Sequence, residues 1–299
     1  EGTVSPRTLS GYCDLWRRYI VPTLGNHRLD RLSVGDCQAL VRTLRARGLG
    51  SSTIRSAIGV LKQSLSQAVR WQVLSASPLA DPKALALPKM ERKKKSVLNS
   101  AELRRFLEAA DGTRLCALWH LAVMTGGRPG ELLGLCWEDV DLDDGAIRFQ
   151  HSLLPGGILG PMKTKGSVRS VPIPQSTTRV LRGHKARQSA ERLEAGSAWE
   201  DRGLVFTTAT GGPLEHMNVV HQGLKPLLLK ASLPPVSFYS LRHASATALL
   251  EAGEHLKVVS ARLGHASIVL TADTYSHVSR GMQEKAAERL EVLLFTSAS

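Results

Sequence analysis

Thr125-Gly-Gly-Arg-Pro-Gly-Glu-Leu-Leu-Gly-Leu-Cys-Trp-Glu-Asp-Val-Asp141 changes its periodicity twice in one short run, and that change sets how the larger half of the chain is built. Gly126 and Gly127 break an apolar helix expected over residues 113–124, and Pro129 starts the next, which leaves Arg128 at the junction. A helix N-terminus presents free N–H groups and the positive end of its dipole, so Arg128 faces a spot that favours anions. Glu131, one turn on, can hold the guanidinium, while Leu132, Leu133 and Leu135 read as core. The Asp139-x-Asp-x-Asp-Asp-Gly run has the acid spacing of a calcium loop. Its sixth position is Asp144, where glycine is needed, and its twelfth is Gln150. We therefore read a solvated turn into a strand and expect no metal site.

Upstream, Asn99 and Glu102 cap a helix carrying Leu103, Phe106 and Leu107. Downstream, residues 146–153 and 168–173 are strand-like, with turns at Gly156-Gly157 and Thr164-Lys165-Gly166, which predicts a small antiparallel sheet of about three strands. Lys163 and Lys165 sit at the second turn. A turn lysine is normally solvated, so any role for either depends on the other residues. A charged segment over 176–202 leads to a short strand at 204–206, then helices. Val236-Ser-Phe-Tyr-Ser-Leu-Arg-His-Ala-Ser-Ala-Thr-Ala-Leu-Leu-Glu-Ala-Gly253 reads as a helix with small residues for close packing. Tyr239 and Arg242 lie three apart on one face. A buried arginine without a partner is costly, so Arg242 is expected to be paired or to face a ligand. Finally, Gly264-His265 precedes a small, apolar run that ends at Tyr275 between Thr274 and Ser276. That tyrosine is either a half-buried helix anchor or a nucleophile.

The first third of the chain is helical by pattern. Ser5 caps and Pro6 opens a helix over residues 5–20 with Leu9, Tyr12, Cys13, Trp16 and Ile20 in one stripe, ended by Pro22 and Gly25. Ser33 and Asp36 form a capping-box-like pair ahead of a second helix burying Cys37, Leu40, Val41 and Leu44 as far as Gly48. A third, opened by Ser52, turns Ile54, Ile58, Leu61, Leu65 and Val69 inward and Arg55, Lys62, Ser66 and Arg70 outward, with acids almost missing from that face. We expect it to contact DNA, mainly at phosphates. Over 77–95 the periodicity fails. Pro78, Pro82 and Pro88 punctuate it and Arg92-Lys93-Lys94-Lys95 closes it, giving a basic linker suited to lie along a groove.

Charge agrees with this division. Of the 299 residues, the first 95 hold 17 Lys and Arg against 6 Asp and Glu, and the rest hold 22 against 20, within a net charge of +13 and a pI near 10.0. A strongly basic small domain on a nearly neutral larger one points to a polyanion, and to nucleic acid ahead of membrane. Hydrophobic content is 42% and no apolar run approaches membrane-spanning length. Cys13, Cys37, Cys116 and Cys136 show no CxxC spacing and are expected to be reduced, mostly buried thiols of a cytoplasmic, nucleoid-associated protein. The first residue is Glu, with no signal-peptide pattern, so a segment ahead of it is expected to be absent from this chain.

Four motifs, TGxRxGELLxLxWEDVDL, KTKxSxRxVPI, xxLRHxxAT and LGHxSIxxTxDTYSHV, follow in that order at matching spacing, and with them the chain resembles the tyrosine recombinases of the phage-integrase family. The resemblance implies a mainly α fold with a small antiparallel β-sheet. A helical core-binding domain (1–81), the linker (82–95) and an α/β catalytic domain (96–299) would form a C-shaped clamp around DNA. The family's N-terminal arm-binding domain is expected to be absent from this chain. Arg128 and Arg242 match the arginines that clamp the scissile phosphate, and Lys163 matches the hairpin lysine, with Lys165 left open by the turn length. His265 matches the second-box histidine and Tyr275 the nucleophile. Glu131 resembles the supporting acid, and His243 a structural neighbour of Arg242. The chain departs at Tyr239, where most members carry histidine. A phenol titrates near 10 and is a poor base at neutral pH, so we expect Tyr239 to donate a hydrogen bond to the phosphate and His265 to be the base.

The chemistry needs these residue types. Arginine's planar fork binds two phosphate oxygens and stays charged through a pentavalent transition state. Attack by tyrosine conserves the phosphodiester energy in a 3′-phosphotyrosine, so rejoining calls for neither nucleotide nor other cofactor. The resemblance further implies DNA attachment or core sites, a monomer when free, a synaptic homotetramer, a Holliday junction, and accessory DNA-bending or directionality factors. Competing readings are a type IB topoisomerase-like relaxing enzyme and a catalytically inactive DNA-binding protein of the same fold. In the tail (281–294), Met282, Ala286, Leu290 and Leu293 recur at helical spacing. They read as a helix docked on its own core or on a neighbouring protomer.

Overall fold

The computed structural model describes residues 4–90, 96–162, 165–265, 267–275, 291, 294 and 295. The chain divides into two compact units, Glu1–Lys94 and Lys95–Ser299. The basic run Arg92–Lys95, Lys163 and the apolar stripe of the tail lie outside the described residues.

In the first unit, α1 (Pro6–Leu15) is capped by Ser5 and runs through a widened π-helical turn (Trp16–Ile20) into α2 (Val21–Leu24). The helix expected to stop at Pro22 therefore continues past it. Proline has no N–H to give, and the ladder adjusts by an i→i−5 bond from Val21 to Trp16 O. The expected stripe is also rotated. Tyr12, Leu15 and Tyr19 pack on the core, whereas Leu9, Cys13 and Trp16 are exposed. α3 (Val34–Ala46) starts from a full Ser33–Asp36 capping box, and α4 (Ser51–Arg70) from Gly50. Their buried faces, Leu40, Val41 and Leu44 against Ile54, Ile58, Leu61 and Leu65, make one core with Ile20 and Leu24. Each such side chain contributes about 1.5–3 kcal/mol by leaving water. Residues 84–88 belong to this unit: Leu85 and Leu87 pack on its core, Ala86 N–H donates to Gln38, and Arg55 Nε donates to Pro88 O at 2.9 Å.

The second unit opens with α5 (Ser100–Ala110) behind an Asn99–Glu102 capping box, then α6 (Cys116–Thr125), whose buried residues surround it on all sides. Trp119 at its middle meets Phe106 and Phe238 edge-on at 5.9 and 5.2 Å. α7 (Pro129–Leu133) follows, then β1 (Val140–Asp141) and β2 (Ala146–Phe149), paired antiparallel. β3 (His151–Leu154) and β4 (Ile158–Pro161) form a separate hairpin, and β5 (Arg169–Pro172) returns to β2. The single strand expected over 146–153 is thus two. Gln150 between them is tied to Asp139 through its amide at 2.5 Å, and β2 and β3 find different partners. At 204–206 the expected strand is only a bridge, Cys136 to Leu204, although Leu204, Val205 and Phe206 are buried. α8 (Gln175–Ala195) packs on α6, α9 (His216–Asn218) on α7 and α10 (Lys225–Lys230) on α5, and α11 (Phe238–Glu251), α12 (Leu256–Leu263) and α13 (Ile268–Tyr275) follow. Among the described residues no helix is long and apolar enough to cross a membrane.

Candidate active site

Two helix ends make the floor of the site. α6 terminates at Gly126 (φ 62°) and α12 at Gly264 (φ 65°), both left-handed positions that glycine adopts without strain. A Cβ on Gly126 would come within 2.6 Å of Leu263, so the two ends are packed on one another. Their last carbonyls point at four guanidinium groups. Arg242, 1% exposed on α11, donates from Nη1 to Gly126 O and from Nη2 to Leu263 O, each at 2.7 Å. Arg128 Nη2 donates to Gly264 O at 3.2 Å, Arg169 Nε to Arg262 O at 2.7 Å, and Arg262 Nη2 to Met124 O at 2.6 Å. Helix C-termini carry the negative end of the dipole, which offsets the crowding of like charge.

Glu131 is the carboxylate bonded into this cluster. Its side chain is 3% exposed and takes Arg128 Nη1 at 2.5 Å, the Arg128 backbone N–H at 2.9 Å and Arg169 Nη2 at 2.8 Å. Burial would raise its pKa, but the bonds from Arg169 and Arg128 outweigh burial and hold it below the usual carboxylate range. Burial, then the charge of Arg128, brings Arg242 down to about 10, still protonated at neutral pH. Two guanidiniums, of Arg128 and Arg169, thus bond one carboxylate, and Arg242 lies near enough to feel its charge. The excess positive charge is suited to an anion.

His265 follows the α12 cap, its N–H bonded to Ser260 O at 3.1 Å and its Nδ1 paired with the buried hydroxyl of Thr271 at 2.7 Å. Burial, followed by the charges of Arg242, Arg128, His243 and Arg169, lowers its pKa to about 4. An ordinary imidazole near working pH is therefore not what the fold provides. Without a ligand, His265 is neutral and weakly basic. Tyr239 is 40% exposed on α11, its ring edge-on to His243 at 5.1 Å. Tyr275 is the last residue of α13, and its side chain, like that of Lys165, lies outside the described residues.

The structure therefore brings Arg128, Glu131, Arg242, His243 and His265 together. It also adds Arg169, Arg262 and Thr271, which sequence reasoning did not single out. A signal for Arg169 was present. In strand alternation it shares the face of Val171 and Ile173, which are 0% and 8% exposed, and a charge on a buried strand face needs a partner.

The described fold resembles the Tn1549 transposon integrase in complex with a circular intermediate DNA, with a TM-score of 0.79 over 97% of this chain and 95% of that one at 22% identity. It also resembles a lambda integrase dimer bound to a core site, with a TM-score of 0.64 over 92% and 90% at 18% identity. In sequence, the chain is 33% identical to a tyrosine recombinase XerC-like protein of Caldanaerobacter subterraneus subsp. tengcongensis, over 96% of this chain and 78% of that protein. It is 27% identical to the tyrosine recombinase XerC of Bacillus subtilis over 94% and 89%. The profile of the phage integrase family matches residues 96–282, which hold every residue of the cluster just described. The chain belongs to the phage integrase family of tyrosine recombinases.

Proposed function

We propose that the chain is a site-specific recombinase that cuts and rejoins double-stranded DNA through a 3′-phosphotyrosine intermediate. The observation that carries this is the convergence of Arg128, Arg242 and His265 on one positively charged site, with Glu131 bracing the first arginine. In this reading Arg128 and Arg242 bind the two non-bridging oxygens of the scissile phosphate and stabilise the charge that builds on them. The Tyr275 oxygen forms a bond to phosphorus while the bond to the 5′ oxygen breaks. The phenol proton passes to His265, and the departing 5′ oxygen takes a proton from Lys163, or from Lys165 if the turn places that residue nearer. Burial lowers the basicity of His265 and neighbouring charges lower it further; a phosphate between the guanidiniums offsets those charges, so the ligand raises the basicity of the imidazole as it binds. Tyr239 donates a hydrogen bond to the phosphate and His243 supports Arg242. The reverse attack by a 5′ hydroxyl rejoins the strand.

Residues 1–88 bind the core site, with Lys62, Arg70 and the Arg55 nitrogens that Pro88 O does not take on phosphates, the basic run Arg92, Lys93, Lys94 and Lys95 follows the groove, and residues 96–299 carry the chemistry. Partner sites, a synaptic tetramer passing through a Holliday junction, and a cytoplasmic, nucleoid-associated location go with this function. The relatives' names, tyrosine recombinase and integrase, favour it over the topoisomerase-like reading. The test is a nicked suicide duplex carrying the junction sequence next to the gene. The unchanged chain should form a covalent protein–DNA adduct, and Tyr275→Phe should bind the duplex equally well and form none. Adduct formation by the Phe variant moves the nucleophile elsewhere, and no adduct with either protein favours the inactive DNA-binding reading.

A further inference from the structure

Arg128 alone does not account for the rigidity its proposed task demands. Its side chain is 32% exposed, its bond to Glu131 is a local pair three residues apart at the start of a five-residue helix, and beyond that turn it reaches Gly264 O only at 3.2 Å. The third bond to the carboxylate is from Arg169, which comes from another element. Its side chain is 7% exposed and lies over the Phe149 ring, with the guanidinium carbon 4.5 Å from the ring centre. Every nitrogen of its fork is used, Nη2 on Glu131 at 2.8 Å, Nε on Arg262 O at 2.7 Å and Nη1 on Ser167 O at 3.0 Å. Gly264 packs directly on it, since a Cβ there would stand 3.0 Å from both its Cδ and its Nη1.

We propose that Arg169 is a positioning residue of the site: it locks Glu131, and through it Arg128, in register with the Gly264–His265 turn. The inference rests on the role given to Arg128 above. Glu131 takes the Arg128 side chain on Oε1 and, on Oε2, both the Arg128 backbone N–H and Arg169, so Arg169 braces from outside the turn a carboxylate that Arg128 holds from within it. The same guanidinium reaches the carbonyl two residues before Gly264. One planar group therefore measures the distance between the phosphate-facing arginine and the turn that presents His265. Lysine could reach one of these partners but not all three, because its ammonium is a point charge without the fork.

The experiment measures single-turnover adduct formation on the suicide duplex, together with the dissociation constant of that duplex and thermal unfolding of each variant. Arg169→Gln should cleave about 100-fold more slowly, the cost of an active group misplaced by about 1 Å, while binding changes less than about threefold. Arg169→Lys should recover part of the rate. Glu131→Gln combined with Arg169→Gln should be no slower than the worse single variant, because both act on one path. If the Gln variant fails to fold, the Lys variant, slower than the unchanged chain but equally tight in binding, carries the test. A full rate for the Arg169 variants, or losses that simply multiply in the double variant, overturns the proposal. Arg128→Ala run alongside separates the two readings. Undiminished cleavage by it sinks the role of Arg128 and this inference together, whereas a slow Arg128→Ala beside full-rate Arg169 variants sinks only the role of Arg169.

Discussion

Replacing Glu131 by Gln keeps the shape of the side chain and removes its charge, and the structure lets the cost be worked out. Three bonds converge on the carboxylate, two from guanidiniums and one from a backbone N–H. Breaking one partner of a buried ion pair costs about 3–5 kcal/mol, because a charge is left without compensation. Arg128 can relax toward water, being 32% exposed, but Arg169 is held by two carbonyls and the Phe149 ring and cannot. One stranded arginine rather than two places the expected loss near the lower end, at about 3 kcal/mol. For a unit of this size that is roughly 6–12 °C in the unfolding midpoint of the second unit. Calorimetry and urea unfolding at pH 7 measure it. The pH dependence is a further check. Glu131 has a depressed pKa in the folded chain, so its contribution is present above the ordinary carboxylate value of 4.5 and is lost as pH falls through the lower folded value. The gap between the unchanged chain and Glu131→Gln should close in that acid range. A loss below about 1 kcal/mol at pH 7, or a gap that does not close in acid, refutes the view that the carboxylate is charged and bridging.

His265 should titrate near pH 4 in the free protein, followed through its ring protons by NMR, and its midpoint should rise when duplex DNA is added. Between pH 6.5 and 4 the unfolded imidazole binds a proton that the folded one refuses, so stability should fall as pH drops through that window, by on the order of 2–3 kcal/mol, and His265→Asn should flatten the slope. A midpoint that DNA leaves unmoved would remove the case for His265 as the base. Gly264→Ala combines a left-handed φ of 65° with a Cβ 3.0 Å from Arg169, and should destabilise by about 2 kcal/mol and slow cleavage, as read by urea unfolding and adduct formation. Unaltered stability there would mean that Arg169 moves freely, against the packing described.

Local chemistry was legible from the residues themselves. The capping pairs at Ser33–Asp36 and Asn99–Glu102, the apolar faces of α3 and α4, the break at Gly126 and the isolated position of Arg128 all follow from rules acting over one helical turn. The four ordered motifs supplied the family. What the sequence alone could not decide was anything set by two distant segments meeting. The rotation of the α1 stripe depends on which side the α4 core lies. The division of residues 146–154 between two sheets depends on where β4 and β5 arrive. The lowered basicity of His265 depends first on its burial and then on guanidiniums from positions 242, 128 and 169 reaching the same few ångströms. Burial and electrostatic energy depend on distance in space and are indifferent to distance along the chain, so a histidine that looks ordinary in sequence becomes a weak base once the fold buries it and surrounds it with charge. Arg169 is the clearest case: its strand alternation betrayed a buried charge, but only the tertiary structure shows that the charge it meets is the one holding Arg128.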